Sequence, residues 1–418
     1  MPRGYHTHGM VPADPPGAAP RSGPQSEIRN YLLYMPHLYV HVPFCVRRCS
    51  YCDFSIAVRK RIPASEYVDA VLQELEMVRA ANPGAMPQGA PDDGLETLYL
   101  GGGTPSLLPP DALAALLTSL RNAFGATSSG DAVEVTLEAN PEDVTPEHAS
   151  VWRRAGVNRL SLGAQSFDDA VLAWMHRSHD AARIGAAVRT LRAAGIDNIS
   201  LDLIFALPAE LKRHWERDLE MAMSLRPEHL SLYGLTVEER TPLARWISRG
   251  AVVPPEDDRY AAEYLLAHAR LAAGGYRFYE VSNACHDGFR SRHNSAYWSG
   301  RPYLGLGPAA HSYDGRTRRW NVPAWHGYAR AIAAGRSPVE SAEILTPEQR
   351  ELEHVYLTLR TDAGLPLNAL HHASPASTAR WIEHGWAEVR GERLVCTPQG
   401  WLRLDALVGD LTGTGAVG

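Results

Sequence analysis

The 418-residue chain has little cysteine, no surplus of positive charge and no long apolar run. Five cysteines are too few for the disulfide framework that small secreted domains rely on, and a chain of this length buries a core without staples. A net charge of −6 provides no basic field to hold nucleic acid by its phosphates, so nucleic acid is not an expected partner. Apolar runs are broken by charge or glycine before the roughly 18 residues that a membrane-spanning helix needs, so no transmembrane segment is expected. Residues 1–36 begin MPRGYHTHGMVPADPPGAAP, rich in Pro and Gly and without an apolar h-region; they read as a disordered extension, not a signal peptide. A cytoplasmic protein is expected.

Three of the five cysteines fall within eight residues. Cys45, Cys49 and Cys52 follow a β-prone run in LYVHVPFCVRRCSYCDF, spaced C-x3-C-x2-C. Three thiolates on one tight loop can hold three irons of a 4Fe-4S cluster and leave the fourth open to a small ligand. Zinc is the competing reading; it favours four ligands in C-x2-C pairs and would have to recruit His41 or a distant His. A disulfide would leave one of the three thiols unpaired. Cys285 and Cys396 stand alone and read as buried thiols.

From residue 38 onward, β-prone runs at 38–42, 96–100, 133–139, 158–164, 198–205 and 229–236 alternate with segments whose apolar residues recur every three or four positions. This alternation predicts an α/β fold, a parallel sheet wrapped by helices in a partial (β/α)6 barrel over residues 37–245. In such barrels function gathers at the carboxyl ends of the strands. Cys45 to Cys52 follow the first strand, Gly101-Gly102-Gly103-Thr104-Pro105 the second, Glu138-Ala139-Asn140-Pro141 the third and Gln165-Ser166 the fourth, with Asp202 inside the fifth. Residues 246–340 read as a Gly- and aromatic-rich elaboration, and 346–418 as a small helical, winged-helix-like domain with a hairpin.

The glycines allow a backbone approach that side chains would block, with N–H groups free to meet a ligand's carboxylate or amine. Glu138, Gln165, Arg177 and Asp202 stand where they can hold the rest of such a ligand. Singly, each also reads as a helix cap, a loop bridge or a surface ion pair; their shared face is what singles them out.

The runs HVPFCVRRCSYCDF, YLGGGTPSLL, VTLEANPEDV, GVNRLSLGAQSFDD and NISLDLIFALP resemble radical S-adenosylmethionine (SAM) enzymes of the oxygen-independent coproporphyrinogen III oxidase group. The resemblance runs from about residue 37 into the C-terminal domain. It implies a radical SAM barrel in which Cys45, Cys49 and Cys52 bind 4Fe-4S and SAM chelates the open iron. An electron donor would then drive cleavage of SAM to methionine and a 5′-deoxyadenosyl radical. Carried over by motif, Tyr39, Gly102, Gly103, Thr104, Glu138, Gln165, Arg177 and Asp202 would line SAM.

Two branches of this group differ in ways the sequence records. The decarboxylating branch, which converts coproporphyrinogen III to protoporphyrinogen IX, carries another Cys two residues after the third cluster Cys; here that residue is Phe54. The haem chaperone branch carries an H-N-x-x-Y-W signature, here His293-Asn294-Ser295-Ala296-Tyr297-Trp298. An imidazole can ligate haem iron, and Tyr and Trp offer flat faces for a porphyrin. Arg290, Arg292 and Arg301 could pair with its propionates, and His311 and Tyr313 are weaker candidates for the same pocket. By chemistry alone, Tyr297 and Trp298 read rather as core aromatics and His293 as a structural hydrogen-bonding group; the signature reverses that order. The resemblance therefore implies a haem chaperone that passes haem to acceptor proteins such as respiratory enzymes. The alternatives are coproporphyrinogen III dehydrogenase and a zinc-stabilised interaction protein.

Overall fold

Within each expected strand, apolar and polar residues alternate: HLYVHV, TLYLGG, EVTLEA, RLSLGAQ, NISLDLIF and HLSLYG. In the computed structural model, which describes residues 35–81, 94–124, 133–369 and 375–412, these runs form β1 (His37–Val42), β2 (Thr97–Gly102), β3 (Glu134–Ala139), β4 (Arg159–Gln165), β5 (Asn198–Phe205) and β6 (His229–Gly234). All six pair in parallel and in chain order. Each is followed by a helix: α1 (Ala64–Ala81), α2 (Pro110–Ala123), α3 (Pro146–Arg154), α4 (Ala181–Ala193), α5 (Trp215–Ser224) and α6 (Asp257–Ala273). The six βα units are those the sequence predicts. Residues 1–34 of the expected N-terminal extension lie outside the described residues.

The alternation has a physical consequence. Leu38, Val40, Leu98, Leu100, Leu137, Leu160, Ile199 and Leu230 are buried in one core with the helix residues Leu113, Leu116, Trp152, Val188 and Leu219. Parallel strands covered on both faces usually read as continuous apolar runs. Here the opposite face of each strand is polar and the barrel lumen is closed by hydrogen bonds. His37 and His293 flank Thr97, Tyr99 donates to Glu138, Ser161 donates to Asp202, and Ser200 hydrogen-bonds His229. Buried polar groups need such partners, and here the register supplies them from neighbouring strands.

The segment 246–340 joins the barrel's own sheet. Its short strands β7 (Arg277–Phe278), β8 (Asn283–Cys285) and β9 (Leu304–Leu306) complete a nine-stranded order β9-β1-β2-β3-β4-β5-β6-β8-β7, with β9 parallel to β1 and β8 antiparallel to β6. Both edges of the six-stranded unit are thereby paired, which removes the exposed edges that invite aggregation. Two further helices, α7 (Arg292–Trp298) and α8 (Trp325–Ala333), belong to the same segment. The C-terminal part comprises α9 (Pro347–Leu359), α10 (Pro375–Glu383), α11 (Leu404–Thr412) and an antiparallel hairpin of Ala387–Arg390 with Arg393–Cys396. A capping box of Thr346 and Gln349 starts α9. Its core residues Trp381, Trp401 and Leu407 are continuous with those of the barrel.

Glu74 on α1 fastens the elaboration to the barrel. It is buried and accepts from Gly307 N at 2.8 Å, Asn321 Nδ2 at 2.6 Å and the Tyr328 hydroxyl at 2.6 Å. Burial pushes its carboxyl from an ordinary 4.5 up to about 7, although the three donors oppose the shift. The folded state therefore holds a proton that the unfolded chain has released. This contribution to stability is complete below pH 4.5 and lost as pH rises through 7. The Glu74→Gln protein, which cannot titrate, is expected to be more destabilised at about pH 5 than at about pH 8, the penalty shrinking by roughly 2.5 kcal/mol between them. Urea midpoints of both proteins at the two pH values check this; a penalty that does not change with pH would contradict it.

Candidate functional site

Beyond the carboxyl end of β1 the chain turns through Pro43 into the cysteine loop, which closes where Phe44–Cys45 pairs in parallel with Ala57–Val58. Ala57 N donates to Pro43 O at 2.7 Å and Arg59 N to Cys45 O at 2.9 Å. Inside the loop Arg48 donates to Cys52 O at 3.1 Å, and Ser50 N donates to Met175 O at 3.2 Å. The loop is therefore held by its own backbone and by its neighbours. Cys45 is buried, with Sγ 3.4 Å from Thr104 Oγ1; Cys49 and Cys52 are half-buried. Burial pushes the Cys45 thiol up to about 11 and the Cys52 thiol up to about 12. A metal taking these ligands must displace their protons.

The loop opens onto a cavity of about 1550 Å³. Cys45, Cys49 and Cys52 line it, and Gly102, Gly103, Thr104, Glu138, Gln165, Arg177 and Asp202 stand along the same wall. The glycines do something the sequence reading did not anticipate. A Cβ at Gly103 would come within 2.8 Å of the Pro43 and Phe44 backbone, and one at Gly102, where φ is +113°, within 2.6 Å of the His41 ring. The glycine turn is thus packed against the cysteine loop. Its N–H groups, expected to be free for a ligand, are engaged: Gly102 N donates to Glu138 Oε2 at 3.0 Å and Gly103 N to Val42 O at 2.8 Å.

Gln165 sits at a register shift between β4 and β5 and has φ +67°. A bulge at a strand end re-aims a side chain, and a non-glycine residue in this region stores about 1–3 kcal/mol of strain. Arg177 is half-buried and bridges three elements. It donates to Cys49 Sγ at 3.7 Å, Asn140 Oδ1 at 2.5 Å and Gly163 O at 2.9 Å. Desolvation pulls its pKa down, but Tyr51, Cys49 and Glu142 more than offset that, so the guanidinium stays charged beside the loop. Asn140, in the run that follows the third strand, orients Arg177. Asp202 accepts from the Ser161 hydroxyl at 3.0 Å.

Tyr39 lies apart from this wall, in the lumen, with its hydroxyl 3.1 Å from His41 Nδ1. His293, Tyr297 and Trp298 are gathered on α7, away from the cysteine cavity. His293 is 1 % exposed. Its Nδ1 shares a hydrogen bond with Thr97 Oγ1 at 2.7 Å, and its Nε2 another with the Tyr297 hydroxyl at 2.8 Å. Burial, with His37 and Arg159 nearby, holds its pKa well below 6.5, so the imidazole is neutral. The α7 N-terminus sits on Glu134, which accepts from Arg292 N and His293 N. Tyr297, Trp298 and Tyr313 line a smaller cavity of about 210 Å³. The face of Trp298, expected to be open for a porphyrin, is covered by the Arg360 guanidinium 4.2 Å from the ring centroid. Arg290 and Arg301, read as propionate partners, are forked onto Asp362 (3.0 and 2.6 Å) and Glu96 (2.8 and 2.6 Å). His311 stands beside Trp320, with ring centroids 5.9 Å apart.

The donor set bears on the two metal readings. A single zinc ion needs its ligands to converge at about 2.0–2.3 Å, whereas a four-iron cluster offers a separate iron to each thiolate. Among the described residues no three His, Cys, Asp or Glu side chains converge on one ion. His41, the nearby fourth ligand zinc would need, has Nδ1 on the Tyr39 hydroxyl and Nε2 on Ser55 O at 3.2 Å. Three thiols on a pinned loop, open to a cavity, fit the cluster.

A profile of the radical SAM superfamily matches residues 39–222. The chain is 39% identical over 407 residues to the heme chaperone HemW of Mycobacterium tuberculosis, covering 97% of this chain and 99% of the relative. It is 36% identical to the heme chaperone HemW of Escherichia coli, covering 68% and 72%. Among solved structures, the coproporphyrinogen III oxidase HemN of Escherichia coli, a radical SAM enzyme, superposes with a TM-score of 0.75 at 21% identity, over 93% of this chain and 92% of that one. That likeness bears on the fold. No helix among the described residues is long and apolar enough to cross a membrane.

Cys45→Ser is expected to lose the iron, sulfide and visible absorption gained on anaerobic reconstitution; retention of all three would refute Cys45 as a ligand. Gly103→Ala, which forces the 43–44 backbone away from the turn, is expected to lower cluster content severalfold with the fold intact by circular dichroism. Wild-type iron content in that protein would show that the loop tolerates the displacement.

Proposed function

The chain belongs to the radical SAM superfamily, in the family of the HemW heme chaperones, and from that premise we propose that it binds haem and passes it to acceptor proteins. In this reading a 4Fe-4S cluster is held by Cys45, Cys49 and Cys52, and SAM sits at the open iron. The observation that carries the reading is the cavity. Pockets for a single small ligand measure roughly 300–1000 Å³, whereas this one reaches about 1550 Å³ with the cysteine loop at one end. It has room for a nucleoside beside the cluster and for a larger molecule beyond it.

When bound, the cluster supplies an electron and an iron with one open coordination position. The rest is done by the chain's own residues. Thr104 and Arg177 hydrogen-bond Cys45 and Cys49, and the Arg177 cation offsets negative charge gathered at the loop. Gly102, Gly103, Glu138, Gln165 and Asp202 form the wall for SAM, while Tyr39 supports it from the lumen through His41. Phe54 lines the cavity where the decarboxylating branch has a cysteine, so that position offers an apolar face and no thiol. This favours haem carriage over coproporphyrinogen III dehydrogenation. The protein would work in the cytoplasm, with an electron donor for the cluster and respiratory enzymes among its acceptors.

Within this reading His293, Tyr297 and Trp298 contribute the haem-binding segment. His293 can reach iron only when the Tyr297 hydroxyl releases Nε2 and α7 shifts, so ligation is coupled to an opening of that helix. Haem titration of the anaerobically reconstituted protein, followed at the Soret band, is expected to saturate. His293→Ala is expected to bind at least about tenfold more weakly, about 1.4 kcal/mol, with unchanged iron from the cluster. No saturable binding would contradict the proposal; unchanged affinity in the variant would remove His293 from it.

A further inference from the structure

The end of the large cavity far from the cysteines is built differently from the cluster end. Its walls come from Leu352 and Tyr356 of α9, Leu404 and Val408 of α11, and Tyr260 and Tyr264 of α6. These are apolar or aromatic surfaces. Three arginines reach this end beside the carboxylate Asp405: Arg318, which holds Glu353; Arg403, which donates to Gln399 O and lies on Trp386; and Arg360, at the carboxyl end of α9.

Arg360 has a side chain 3 % exposed and faces the fully buried Glu280 at 2.7 Å. The pair is off-line: neither Nε nor Nη2 of Arg360 makes a hydrogen bond, and neither does Glu280 Oε2. Glu280 Oε1 is already taken by Ser282 N at 3.0 Å and Asn283 Nδ2 at 2.5 Å. The other side of the guanidinium lies on Trp298. Arg213 differs: both of its terminal nitrogens donate, to Ile204 O at 2.8 Å, Asp218 at 3.2 Å and Glu263 at 2.9 Å, and only its Nε is left without a partner. Glu280 balances the charge, but buried charge is costly unless it is also hydrogen-bonded, so a guanidinium whose Nε and Nη2 make no hydrogen bond keeps donor capacity for a second carboxylate. The arginines that the sequence offered for this task, Arg290 and Arg301, already hold carboxylates.

We propose that Arg360 binds a propionate of the tetrapyrrole, whose macrocycle lies in the apolar lobe between α9, α11 and the barrel mouth. This rests on the haem reading above and locates it: the carboxylate goes to the planar fork of Arg360, which matches its geometry, and the flat ring goes to the tyrosine and leucine walls. Trp298 then serves haem binding by backing Arg360. The HNSAYW segment and the propionate receptor become one unit, joined through that stacked pair.

The test varies the ligand before it varies the protein. Wild-type reconstituted protein is titrated with haem and with haem dimethyl ester, whose propionates carry no charge. The ester is expected to bind at least about tenfold more weakly, the effect of losing a charge-assisted bidentate contact. Arg360→Lys, which keeps the charge beside Glu280 but not the fork, is expected to bind haem about tenfold more weakly and to lose most of the discrimination. The double variant Arg360→Met with Glu280→Gln removes cation and anion together, and it serves if the lysine protein is unstable; it too should treat both ligands alike. Equal wild-type affinities for haem and its ester, or a variant that still discriminates fully, would overturn the Arg360 site and leave haem binding standing. No saturable haem binding by the wild type would overturn both.

Discussion

Everything above the barrel depends on the demand that a polar lumen be satisfied. The strands carry Leu, Ile and Val outward to the helices and His, Tyr, Thr, Ser, Glu and Asp inward. Inside, Tyr99, Ser161 and Ser200 each hydrogen-bond a group on the neighbouring strand, so parallel register and lumen hydrogen bonds support each other. At the amino ends the lumen is sealed by His293 on α7, whose backbone caps onto Glu134. At the carboxyl ends the same periodicity delivers Glu138 and Asp202 to the mouth, beside the cysteine loop. One pattern therefore produces both a closed floor and an open, functional rim.

The rim is assembled by close backbone packing more than by side-chain reach. Gly102 and Gly103 let the turn after β2 sit against the turn after β1, and Thr104 then meets Cys45. Arg177 comes from the far side and ties Cys49 to Asn140 and Gly163. Three loops from different strands thus meet around the thiols, each locked by contacts a methyl group would disturb. Such preorganisation suits a site that would receive the proposed cluster without rearranging.

Much of this was legible in the sequence. The six barrel strands fall within a residue or two of their expected positions at the amino end, because short runs of alternating apolar and polar residues between amphipathic helices leave few alternatives. The cysteine spacing and the strand-end polar residues lead to one cavity. What could not be read has identifiable causes. Strands of two or three residues, such as Leu304–Leu306, carry no periodicity, so the edge strands of the sheet were hidden within an apparent elaboration. The positive φ at Gln165 comes from a bulge set by its neighbour strand. Arg290 and Arg301 looked available because their partners, Asp362 and Glu96, are 72 and 205 residues away in the chain. Arg360 was overlooked for the converse reason: nothing local marks a guanidinium whose one carboxylate is out of line.

The central claim is that the molecule delivers haem, and the most direct measurement follows haem leaving it. Haem-loaded protein is mixed anaerobically with the apo form of a haem-dependent respiratory enzyme, and in parallel with an apoglobin that only scavenges released haem, and the Soret band of each acceptor is followed in time. The account predicts transfer to the respiratory enzyme faster than passive release to the globin. Equal rates to both acceptors would show a protein that merely lets haem go, and would contradict it.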